Sequence, residues 1–74
     1  MKNALEFVLD FYKSAEFGCL EYCDKRDEYS IARYDEYYNK RDTYREMLIA
    51  LGLTWDAIDD LDTRLAAEYA RKQA

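Results

Sequence analysis

Seventy-four residues with a formal charge of −5, no histidine, no proline and only two glycines describe one small acidic domain, able to bury only about 60% of its unfolded surface. Imidazole-based acid–base and metal chemistry is excluded at the outset, and sixteen carboxylates against eleven cations repel the phosphates of a nucleic acid. Ala, Leu, Glu, Lys, Arg and Tyr dominate, which favours helices and leaves few turns for a sheet, so the fold class is all-α.

Asn3 followed by Glu6 reads as an N-cap with its capping-box partner and starts a first helix near residues 3–23. At the helical period Leu5, Val8, Leu9, Phe11, Tyr12, Ala15, Cys19, Leu20, Tyr22 and Cys23 share one broad arc. Phe7 extends its edge, and Glu6, Asp10, Lys13 and Glu21 fall mostly opposite. An arc that wide predicts contact with two other helices. The end of this helix is weakly punctuated. Gly18 could break it, Asp24 with Asp27 could cap a second helix, and the Glu21 and Lys25 pair at i, i+4 suits an unbroken helix through Leu51. Such a helix would leave much of the arc without a partner, so a break near residues 23–26 is expected.

A second helix over residues 25–51 then turns Tyr34, Tyr37, Arg41, Tyr44, Leu48 and Leu51 inward. Tyrosines bury a ring while keeping the hydroxyl wet, which suits the rim of a bundle. Met47 to Leu51 is apolar all round and should be covered on more than one side. A second ladder, Ile31, Asp35, Tyr38, Asp42, Arg45 and Ile49, mixes apolar, aromatic and charged groups on the other flank. Tyr22 to Tyr29 echoes Tyr37 to Tyr44 at an offset of fifteen, which a chain rich in Tyr, Asp and Arg produces by chance more readily than by duplication.

Gly52 is the clearest stop signal, a helix C′ residue in the left-handed conformation, and Thr54 caps a third helix over residues 54–72. Leu53 and Ile58 flank that cap as a hydrophobic staple, and Asp56 suits the positive helix end. Ile58, Leu61, Leu65 and Tyr69 face inward with Trp55 at the edge, while Asp60 with Arg64 and Glu68 with Lys72 form i, i+4 pairs. The last few residues should fray. The whole predicts a small antiparallel three-helix bundle, for which homodimerisation would enlarge a marginal core.

Cys19 and Cys23 lie one turn apart and could supply half of a zinc site, but the chain has no third cysteine and no histidine. Both fall in the apolar arc and read as core residues. Asp56, Asp59, Asp60 and Asp62 lack the alternating spacing of a calcium loop. A di-iron bundle would need Glu-x-x-His motifs. No metal and no cofactor are expected. With no glycine-rich phosphate loop or activated-serine motif, neither is an enzyme. The outline of the second and third helices fits a helix-turn-helix. Nucleic-acid binding would then need Arg41, Arg45 and Arg64 to converge, against Asp56, Asp59 and Asp60 at the opening of the reading helix.

The ladder of Ile31, Asp35, Tyr38, Asp42 and Arg45, joined by Asp56, Asp59 and Asp60, therefore reads as a partner-binding surface, since tyrosine and arginine concentrate at interface hot spots. The expected function is a non-enzymatic protein-binding module. By size and charge alone it matches the inhibitors and adaptors common among bacteriophage and mobile-element products. In the most specific form Asp35, Asp42, Asp56, Asp59 and Asp60 imitate spaced phosphates and Tyr38 anchors in a basic nucleic-acid-binding cleft; a generic adaptor is at least as strong an expectation, since net acidity is common and mimicry rare. Glu6 and Asp10 interrupt any signal-peptide core and no run is long enough to span a membrane, so a cytoplasmic protein is expected, with a protein partner rather than nucleic acid or a membrane.

Overall fold

The computed structural model describes residues 2–73. Asn3 sits in extended backbone and its side chain accepts a hydrogen bond from the Glu6 N–H at 2.9 Å, which opens helix α1, Ala4–Tyr22. Gly18 does not interrupt α1. It instead lets the second helix come close, since a Cβ at that position would stand 2.4 Å from the ring of Tyr37. The chain breaks where the arc of α1 would otherwise lose its partners. Lys25 N–H bonds to the Tyr22 carbonyl at 3.2 Å, and Asp27, rather than Asp24, caps helix α2, Glu28–Ala50, by accepting from Ser30 N–H at 3.0 Å. Asp24 to Arg26 form the turn between the two helices, so the cap falls three residues later than the sequence suggests.

Gly52 takes a φ of 108°. The Leu53 N–H bonds to the Leu48 carbonyl and the Gly52 N–H to that of Ile49, each at 3.0 Å. This is the hydrogen-bond pair of a Schellman ending. Thr54 Oγ1 then accepts from Ala57 N–H at 3.1 Å and helix α3 runs Trp55–Gln73. The fraying expected at the C-terminus falls in part on Ala74, outside the described residues. There are no strands among the described residues, and no helix is long and apolar enough to cross a membrane.

The three helices pack in the manner of a bundle, with α1 touching both others and far more extensively α2. Val8, Tyr12, Leu48 and Ile58 form the core cluster, flanked by Leu5, Leu9, Tyr44, Ile49, Leu53 and Leu61. Leu53 and Ile58 thus both anchor the turn into α3, as a staple requires. Further along, α1 and α2 meet through rings: Phe11 stacks on Tyr44 at 5.6 Å, and Tyr22 stacks on Tyr37 at 6.1 Å and meets Tyr29 edge-on at 6.2 Å. Helix α3 is tied to α1 by Lys13 with Glu68 at 3.0 Å, Phe17 against Tyr69 at 5.8 Å, and a Tyr69 hydroxyl donated to Glu21.

Several side chains depart from the pattern. Cys19 is buried but Cys23 is exposed, because α1 has ended and its thiol donates to the Leu20 carbonyl in the last turn. Met47 and Leu51 flank the fully buried Leu48, yet remain 43% and 45% exposed, since α2 is covered on one side only. Asp60 and Arg64 form no ion pair, whereas Glu68 and Lys72 do at 3.7 Å.

Candidate functional site

The register set by the Asp27 cap turns Ile31, Asp35 and Tyr38 to solvent on the flank of α2 away from α1. Ile31 is 54% exposed and Tyr38 39%. Tyr38 is nevertheless held in place. Its ring lies 6.0 Å from that of Tyr34, one turn away, and the Arg41 guanidinium sits 4.6 Å from its centroid. Arg41 in turn donates to Glu16 Oε1 of α1 at 3.4 Å, and Glu16 is buried. A chain of contacts therefore runs from the interior through Arg41 to an aromatic ring at the surface. Burial pushes the Glu16 carboxyl above its ordinary range, opposed by the positive charge of Arg41.

The lower half of the ladder is not free. Arg45, expected on the outward face, turns inward: its Nη2 donates to Tyr12 Oη at 2.9 Å and to Asp62 Oδ2 of α3 at 3.2 Å. Tyr12, fully buried, donates its own hydroxyl to Asp62 Oδ1 at 2.5 Å. Burial first, and the bond to Asp62 second, hold the phenol in its neutral form well above the usual tyrosine range. Asp42 is half-buried and Ile49 packs against the core. Arg45 belongs to the link between the three helices rather than to a docking face.

Asp56, Asp59 and Asp60 are exposed on the opening turns of α3. Those turns follow the Gly52 corner, at the far end of α2 from Ile31 and Asp35. At 1.5 Å per residue, Asp35 lies more than about 20 Å along α2 from Leu51. Asp35 therefore stands well along α2 from the corner that opens α3, whereas Asp42 lies one turn from Arg45, which reaches Asp62 of α3.

Tyr12, Asp62, Glu16 and Arg41 were not legible as a network. Glu16 carried the one available signal, a carboxylate inside the apolar arc that demands a buried cation, with Arg41 on the inward stripe to supply it. No cluster of three or more carboxylate or thiol ligands for a metal is assembled among the described residues. An open groove of about 470 Å³ between α1 and α3 has Leu9, Leu53, Ala57, Leu61 and Leu65 in its lining with Asp10, Lys13 and Arg64. Of its charged residues, Asp10 is paired with Lys2 and Lys13 with Glu68. Of the three arginines that a nucleic-acid reading requires, Arg41 and Arg45 are engaged with Glu16 and Asp62.

Comparison with protein-family models, with curated proteins and with solved structures gives no match.

Proposed function

We propose that the chain is a non-enzymatic protein-binding module, an inhibitor or adaptor that presents the outer face of α2 to a basic surface of a partner protein. One observation carries this: Tyr38 stands at the surface with its ring already fixed by Tyr34 and Arg41. A large amphipathic side chain that is ordered before binding loses little entropy on docking. Ile31 extends the apolar contact, and Asp35 and Asp42 flank it with negative charge. The net charge of −5 favours a cationic partner. An antiparallel bundle is the scaffold of this reading, supported by Tyr22 meeting Tyr29 while Phe11 meets Tyr44. The distance to Asp56, Asp59 and Asp60 favours a compact adaptor contact over a long row of phosphate mimics. Size and charge remain those of phage and mobile-element inhibitors, and the engagement of Arg41 and Arg45 with Glu16 and Asp62 weighs against direct nucleic-acid binding.

The test is affinity capture from cells of the source organism with wild type and Tyr38→Ala in parallel, followed by binding kinetics on the retained protein. Tyr38→Ala should lose about 2 kcal/mol or more of affinity through faster dissociation, while Asp35→Asn with Asp42→Asn should mainly slow association and flatten its salt dependence. Equal binding by all variants, or turnover of a substrate by the purified chain, would refute the proposal.

A further inference from the structure

A second surface lies on the other side of α2. Phe7 and Phe11 on α1 are 49% and 50% exposed, and Met47 and Leu51 on α2 are 43% and 45% exposed. The Phe11–Tyr44 stack places these stripes side by side, since Phe7 is one turn from Phe11, and Met47 and Leu51 continue the Tyr44 stripe. The result is one apolar strip along the α1–α2 seam. We propose that a second copy of this chain covers this strip, Phe7 and Phe11 of each copy packing against Met47 and Leu51 of the other about a twofold axis.

Area and charge both point to a second copy. Half-exposed phenylalanines leave about 100 Å² each in water. With Met47 and Leu51 the strip reaches on the order of 350 Å², within the roughly 300 to 600 Å² of the largest apolar patch on a typical monomer, a patch that is often functional. Two strips and a polar rim approach the roughly 1,200 Å² at which specific interfaces begin. A chain with sixteen carboxylates and a charge of −5 opposes its own association wherever those carboxylates would meet. This strip avoids them. On α1 the stripe from Ala4 through Phe7 and Phe11 to Gly18 has no charged residue, and on α2 the stripe from Tyr37 to Leu51 has only Lys40, already paired with Glu36 at 3.3 Å. The twofold arrangement is self-complementary, ring against thioether and aliphatic chain. Met47 and Tyr38 are about two and a half turns apart, on opposite sides of α2. The dimer therefore leaves both Tyr38 faces free and pointing outward, and it stands independently of the reading of that face.

Sedimentation equilibrium over about 1 to 100 μM, a range that brackets micromolar affinity, tests the dimer. Wild type should double in mass with rising concentration. Phe7→Glu and Met47→Glu, on different helices, should each stay at the mass of one chain while circular dichroism keeps its helical signal; Tyr38→Ala should still dimerise. Should one strip variant lose its helical signal, the other gives the answer. A wild type that keeps the mass of one chain throughout, or a dimer that survives both folded glutamate variants, overturns the proposal.

Discussion

The two ends of the α1–α2 pair solve the same packing problem with different chemistry. Around Val8, Leu48 and Ile58 aliphatic side chains from all three helices close on one another. Around Tyr22, Tyr29 and Tyr37 flat rings meet instead, with Arg33 4.9 Å from the Tyr37 centroid, Lys40 at 5.7 Å, and Lys25 5.2 Å from that of Tyr22. Burial of aliphatic groups contributes roughly 1.5 to 3 kcal/mol per side chain. Exposed cation–ring contacts contribute about 0.5 to 1 kcal/mol each. The first end holds the fold, and the second keeps rings near water where a partner can reach them. Between the two, Tyr12 with Asp62 and Arg45, and Glu16 with Arg41, fill the interior with paired polar groups.

Truncating each end is the most forceful way to break this contrast. Leu48→Ala should destabilise by about 3 to 4 kcal/mol, a large share of the stability of so small a domain. Tyr37→Ala should cost about half that, because its ring is only half-buried. Urea unfolding followed by circular dichroism measures both, and equal losses would make the tyrosine end a second core. Asp62→Ala probes the middle and should cost about 1 to 3 kcal/mol, since the buried Tyr12 hydroxyl loses its acceptor. A double variant with Tyr12→Phe should recover part of that loss.

The smallest effect expected is a pH slope. Glu16 has a folded-state pKa raised above its ordinary value of 4.5. Its contribution is complete below that value and is lost as pH rises through the raised one. Glu21, Glu68 and Asp27 are shifted downward by their hydrogen bonds, from Tyr69, Lys13 and Ser30 respectively, and act oppositely: their contributions are present above their ordinary values and fade on acidification. Glu16→Gln should therefore remove a component of stability that declines with rising pH just above the ordinary carboxylate range. Unchanged slopes in urea titrations across that range would count against a buried, perturbed Glu16.

Local chemistry was legible in the sequence wherever a few adjacent residues decide the outcome. Asn3, Gly52 and Thr54 act as expected, and the wide arc of α1 does touch two helices. Partners far apart in sequence were not legible. Tyr12 and Asp62 stand 50 residues apart, and Glu16 and Arg41 25, so no helical period connects them. Arg45 illustrates the consequence. Its spacing fits the outer ladder, but a carboxylate arriving from α3 draws it inward. The fifteen-residue echo likewise has no single structure: one copy spans the α1–α2 joint, the other lies wholly within α2, and their leading residues, Tyr22 and Tyr37, stack on each other.

Gly18 acts as a notch for the Tyr37 ring from across the seam. A flat ring fits there. Sliding α2 by four residues in either direction would bring Arg33 or Arg41 to the notch in place of the Tyr37 ring, a long charged side chain where a flat ring now packs. The missing methyl group on α1 thus sets the longitudinal alignment of the helix pair, a job that uniform aliphatic packing does poorly because one leucine layer resembles the next.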